Sequence, residues 1–185
     1  MRQEIRLAGF GGQGIISLGI LIAAAAGKFA DQQVAQTQSY GPEARGGACK
    51  TEVVISDEEI DYIKALKPNI LLVMSQPALD KYVADIDSEK TMVIIDSTLI
   101  ENVPDQLKRV FRIPATQMAE NELNNRMSAN IIMLGAMVKL SDILTLESCR
   151  QSLNANFPSE GFEKNMAAFD AGYKFASTLT QGGQR

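Results

Sequence analysis

The chain has 185 residues, 45% hydrophobic and 22% charged, with a formal net charge of −4. One domain is expected at that length, with enough chain to bury most of its apolar surface, and the composition is that of a soluble globular protein. The charge leaves no footprint for nucleic acid or an anionic membrane, and the lack of histidine removes Ser-His-Asp, Cys-His and His-ligated metal chemistry from within this chain.

Ile5-Arg6-Leu7-Ala8 reads as the first strand and leads into Gly9-Phe10-Gly11-Gly12-Gln13-Gly14. Gly9, Gly11 and Gly14 have the G-x-G-x-x-G spacing of a Rossmann-type strand-to-helix turn, where a side chain would obstruct the reversal, the approach of a ligand to the backbone, and the packing of the next helix. A helix begun there turns free N–H groups and its positive dipole end toward the loop. Ile15, Ile16, Leu18, Leu21 and Ile22, followed by Ala23 to Ala26 and ending near Lys28, predict a helix apolar on most faces and pressed against a sheet.

Val34 to Gln38 reads as the second strand, followed by the turn-rich segment Ser39-Tyr40-Gly41-Pro42-Glu43-Ala44-Arg45-Gly46-Gly47. Lys50 to Ile55 reads as a third strand, near an edge because it alternates. Ile70 to Met74 is a short continuous apolar run and Met92 to Asp96 repeats the pattern up to its last residue, as in buried parallel strands. Ser75 is placed to cap a helix with Pro77 in its first turn, and Asp96 falls at a strand's carboxyl end. Val110 to Ile113 is the last strand candidate.

Beyond Pro114 the chain turns helical. Met127, Ile131, Leu134 and Val138 form one stripe that Ile132, Met133 and Met137 widen, so this helix is expected to be buried. Thr145 to Asn156 suggests another helix. Ser159-Glu160 opens a last one, striped by Phe162, Met166, Phe169, Tyr173 and Ala176. The expected fold is therefore α/β: a single Rossmann-like domain over residues 1–180, a mostly parallel open sheet with helices on both faces, and a helical C-terminal third. Residues 181–185 are expected to form a frayed tail. The apolar run Ile131 to Val138 is too short to cross a bilayer, and the N-terminus lacks the pattern of a signal peptide, so a cytoplasmic location is expected.

Two stretches carry candidate binding chemistry. The first is the glycine loop: Gly9, Gly11, Gly12, Gln13 and Gly14. An NAD site would want an acid at the end of the second strand, where Gln36-Thr37-Gln38 stands, and no Gly-Lys-Ser/Thr marks a P-loop. Two readings stay open: glycines that only allow close packing, or a backbone contact with phosphate or pantetheine. The second stretch is Gln38, Ser39, Tyr40, Arg45, Gly46 and Gly47, on the same rim as the first if the sheet is parallel. Arg45 is either a planar anion-binding fork or a solvated loop residue. Cys49 and Cys149 are too few to hold an iron–sulfur cluster and read as small buried hydrophobes.

Together the two stretches resemble the gamma subunit of 2-oxoacid:ferredoxin (or acceptor) oxidoreductases, a module that is also a domain of fused pyruvate:ferredoxin oxidoreductases. Asn130-Ile131-Ile132-Met133-Leu134-Gly135-Ala136 is similar to that family's late helix, and the likeness spans about Glu4 to Ala176. The wording Ser-Tyr-Gly-Pro-Glu-Ala-Arg-Gly-Gly is most similar to the 2-oxoglutarate enzymes. The resemblance implies a subunit of an enzyme that converts the 2-oxoacid to acyl-CoA but is not catalytic alone. It implies thiamine diphosphate and iron–sulfur clusters in alpha, beta and delta-type partner subunits, and electrons leaving to ferredoxin or a similar acceptor. It also implies that this chain packs against the thiamine-binding subunits and helps form the coenzyme A region. No catalytic residue and no metal ligand is assigned to this chain. The rival expectations are a stand-alone nucleotide-binding protein and a non-enzymatic scaffold. The isolated chain is expected to self-associate or expose an apolar patch.

Overall fold

Alternation along the first strand sets out the architecture. In the computed structural model, which describes residues 1–39, 48–157 and 159–181, β1 (Arg2–Phe10) sends Ile5 and Leu7 into one core and Ala8 into the other. Pleating sends Glu4 and Arg6 to the same face as Ala8. The remaining strands are β2 (Gln33–Ser39), β3 (Ala48–Ser56), β4 (Ile70–Val73), β5 (Met92–Asp96) and β6 (Val110–Ile113), in the spatial order β2-β3-β1-β4-β5-β6. β1, β4, β5 and β6 pair in parallel, whereas β3 runs antiparallel between β1 and β2. Five strands thus point one way and β3 the other, which makes the sheet mostly parallel as expected.

Against the Ile5 and Leu7 face lie α1 (Ile15–Gly27), α3 (Ala115–Asn121), α4 (Ala129–Ser141), α5 (Leu146–Asn156) and α6 (Glu160–Gln181). The opposite face is covered by α2 (Gln76–Tyr82) and by Ile100 and Leu107 from connecting segments. Every residue of α4 from Ala129 to Val138 is buried, which agrees with its apolar sequence all round. Its crossing with α6 is a backbone contact. A Cβ on Gly135 would overlap the Phe169 carbonyl oxygen, and one on Gly172 would overlap that of Ile132, so glycine at both positions lets the axes approach.

β3 lies near an edge as expected, one strand in from β2, and its polar members Thr51 and Glu52 are buried in partnerships rather than exposed. Glu52, 3% exposed, accepts from Arg6 Nε at 2.8 Å and Lys50 Nζ at 3.0 Å. One expectation is corrected: Met127 does not join the α4 stripe. It sits in a short 3-10 turn (Arg126–Ser128), where its N–H donates to the Asn125 side chain, and it is 70% exposed.

Candidate functional site

Because β1, β2, β4, β5 and β6 share a direction, their carboxyl ends meet on one rim. The chain leaves β1 through α1 for the β2–β3 side and builds β4 to β6 on the other side, so the order reverses between β1 and β4. Open α/β sheets bind ligands at such a reversal. A cavity of about 380 Å³ lies there. Its walls come from the glycine loop, the segment after β4, Leu99 after β5, Thr116 of α3, and the entrance to α4.

The glycine loop is held from within. Gln13 Oε1 accepts from the Phe10 N–H and Gln13 Nε2 donates to the Met74 carbonyl, both at 2.7 Å, so one amide ties the ends of β1 and β4. Gly14 has φ 72°, in the left-handed region, and a Cβ there would strike Asn130 Nδ2, which donates to the Gly14 carbonyl at 3.2 Å. The close-packing reading of the motif therefore holds at Gly14. Gly9 is buried, whereas Gly11 and Gly12 are exposed ahead of α1. The binding reading is left with the outer half of the loop.

Across the cavity, Ser75 lies at the start of α2 but its hydroxyl does not cap the helix. The side chain is 1% exposed and its oxygen is the one buried side-chain N or O without a hydrogen-bond partner among the described residues. A buried hydroxyl in that state costs roughly 1–3 kcal/mol unless a ligand or water meets it. Its neighbour Gln76 is fully engaged, donating to Asp80 and the Asn102 carbonyl and accepting from the Asn102 N–H. Asp96 is buried and accepts from the Thr98 N–H and from the N–H and hydroxyl of Thr116, which fixes α3 against the rim. Phe10 and Met127 leave apolar surface at the mouth. Arg126 also reaches it, pairing with Glu120 at 2.9 Å while largely exposed.

Among the described residues Arg126 is the only ionisable side chain in this lining, and the other groups there are apolar or neutral and polar, suited to holding a molecule. Neither thiol is activated: burial pushes the Cys49 thiol up and the Cys149 thiol up to about 12. No group of three His, Cys, Asp or Glu that could hold a metal occurs among the described residues, so these donors do not fit an iron–sulfur cluster.

Of the predicted site residues, Gly12 and Gln13 line the cavity and Gly9 and Gly14 shape the loop beside it. Gln38 and Ser39 end β2 on the same rim, two strands away and outside the lining. The shared rim holds, although β2 reaches it through an antiparallel partner. Tyr40, Arg45, Gly46 and Gly47 lie outside the described residues. Ser75, Thr116 and Asn130 were not foreseen as lining; their only signal was position just after a strand or at a helix entrance.

Among the described residues no helix is long and apolar enough to cross a membrane. A subunit of 2-oxoglutarate synthase, KorC, from Methanocaldococcus jannaschii is 46% identical to this chain over 97% of it and 96% of the relative. The crystal structure of a keto/oxoacid ferredoxin oxidoreductase gamma subunit from Geobacter sulfurreducens superposes with a TM-score of 0.85 at 37% identity, covering 95% of this chain and 99% of that one. The 2-oxoglutarate:ferredoxin oxidoreductase of Magnetococcus marinus, solved with 2-oxoglutarate, coenzyme A and succinyl-CoA bound, gives 0.84 at 28% identity, over 96% of this chain but 31% of its own. Residues 4–175 match the family described as pyruvate ferredoxin/flavodoxin oxidoreductase, and the chain belongs to that family.

Proposed function

We propose that this chain is the gamma-type subunit of a 2-oxoglutarate:ferredoxin oxidoreductase, and that its rim crevice forms one wall of the coenzyme A site. The substrate assignment rests on the 46% identity to the 2-oxoglutarate synthase subunit. The observation that carries the crevice assignment is the partnerless hydroxyl of Ser75, buried beside the cavity that Ser75 helps to line at the β1/β4 reversal. Thiamine diphosphate, iron–sulfur clusters and the path to ferredoxin belong to the alpha, beta and delta-type companions. This chain contributes binding: the exposed Gly11 and Gly12 backbone for phosphate, the apolar Phe10 and Met127 for the flexible arm, and Ser75 for an amide or phosphate oxygen. Arg45, with Gly46 and Gly47, supplies an anion contact, and Gln38, Ser39 and Tyr40 belong to the same binding stretch. The enzyme assembles in the cytoplasm.

Steady-state kinetics on the reconstituted complex test this reading. Ser75→Ala removes one neutral hydrogen bond worth about 0.5–1.5 kcal/mol, so the coenzyme A KM should rise about twofold to tenfold with the 2-oxoglutarate KM unchanged. Arg45→Ala should cost about 1.5–3 kcal/mol, roughly tenfold to a hundredfold, and Arg45→Lys part of that. Unchanged coenzyme A kinetics in both alanine variants, with assembly intact, would sink the assignment.

A further inference from the structure

The Glu4 and Arg6 face of β1 holds the backbone of one loop, and the loop turns its apolar side chains outward. Arg2 Nη2 donates to the carbonyls of Tyr62 and Lys64 at 2.8 and 3.2 Å, and Arg6 Nη2 donates to that of Ala65 at 2.9 Å. Glu4 Oε2 accepts from the Lys67 N–H at 2.8 Å, and the Glu4 N–H donates to Asn69 Oδ1 at 2.8 Å. Arg6 is itself clamped by Glu52 at 2.8 Å and Asp85 at 3.2 Å, with 6% of its side chain exposed. A loop pinned at four backbone points is preorganised, which lowers the ordering cost of binding.

Only Ala65 of residues 57–67 except the part-buried Ile60 turns inward. Tyr62, Ile63 and Leu66 are 46, 50 and 64% exposed, three of the eight exposed large hydrophobics among the described residues, within five residues. Scattered apolar residues need no explanation, but an ordered cluster marks an interaction surface. Charge is distributed unevenly along the segment. The exposed Glu58, Glu59 and Asp61 precede Tyr62 and Ile63, with Asp57 beside the N-terminal amine, and the exposed Lys64 and Lys67 come on either side of Leu66 in sequence. That arrangement complements an apolar seat with lysine or arginine facing the acids.

We propose that residues 57–67 are the docking ridge by which this subunit seats in another chain of its oxidoreductase complex, in an apolar cleft with a basic margin on the Glu58–Asp61 side. The occupant rests on the functional reading above. The test is co-elution and titration of the full chain with the thiamine- and cluster-carrying chains. Ile63→Asp with Leu66→Asp should weaken association at least tenfold while leaving the thermal midpoint unchanged, since both side chains are exposed. Glu59→Lys should weaken it chiefly at low salt, and Ile20→Asp, on the exposed side of α1, should leave it intact. A double variant that assembles as tightly as the wild type overturns the ridge. So does equal loss with Ile20→Asp, or a ridge variant that abolishes only self-association of this chain. Failure of the wild-type chain to join those companions overturns the functional reading instead.

Discussion

Gly135→Ala tests whether the α4–α6 crossing positions the wall of the crevice. The new Cβ would overlap the Phe169 carbonyl oxygen, while a relaxed C···O contact needs roughly 3.3 Å. The helices must therefore part by about an ångström at their closest point. A gap of that size forfeits roughly a quarter to a half of the dispersion energy of the facing atoms, and overpacking typically costs about 1–3 kcal/mol. The better helix propensity of alanine returns about 0.5–1 kcal/mol. A net loss of about 2 kcal/mol is expected, against a domain stability of roughly 5–15 kcal/mol. Gly161→Ala supplies the control: its Cβ would meet only Phe157 Cβ at 3.6 Å, so propensity wins and stability should not fall. Urea unfolding of both variants measures the difference. If Gly135→Ala lies within about 0.5 kcal/mol of wild type, α4 is not held by backbone contact, and the reasoning fails.

Arg6→Ala leaves Glu52 buried beside Lys50 alone and strips the Ala65 carbonyl of its donor, so unfolding free energy should drop by about 3 kcal/mol; Arg6→Met with Glu52→Leu should recover most of it in the same urea assay. Gln13→Leu orphans the Phe10 N–H and the Met74 carbonyl and should cost about 1–3 kcal/mol, with faster amide exchange at Phe10. The Cys149 thiol, raised by burial to about 12, stays protonated in the folded chain while the unfolded thiol ionises near 9. The folded state therefore holds the extra proton, and stability is full below pH 9 and declines between pH 9 and 12, by at most about 1.4 kcal/mol per pH unit. Cys149→Ala should flatten that limb of a stability–pH curve.

The parts of this fold written in local pattern were legible. Ile70 to Val73 and Met92 to Ile95 are apolar without interruption because both faces of those strands are covered. Ile131 to Val138 is apolar all round because α4 is enclosed. The partners of β3 were less legible: Thr51 donates to the Thr37 carbonyl and Glu52 meets Arg6, and no pattern within β3 announces partners on other strands. Met127 kept helical spacing to Ile131, yet Asn124, at φ 48°, and Asn125 start the helix later. The glycine loop announced one wall of the crevice. The rest comes from residues 74–77, 99, 116, 126, 127, 129 and 130, which the topology gathers, so only the rim rule for α/β sheets pointed there.

One strand serves both surfaces of the molecule, and it keeps them apart. The carboxyl end of β1 opens into Gly9 and the crevice, whereas Arg2, Glu4 and Arg6, nearer its amino end, grip the 57–67 loop. Eight residue steps from Arg2 to Phe10 span about 27 Å at the rise of an extended strand. A partner seated on Tyr62, Ile63 and Leu66 therefore need not cover the Ser75 hydroxyl, and a ligand in the crevice need not disturb the ion pairs of Arg6. The two sets of variants should separate accordingly: changes at Ile63 and Leu66 act on assembly, and Ser75→Ala acts on the coenzyme A KM at unchanged assembly. Only a perturbation of β1 itself, such as Arg6→Ala, should move both.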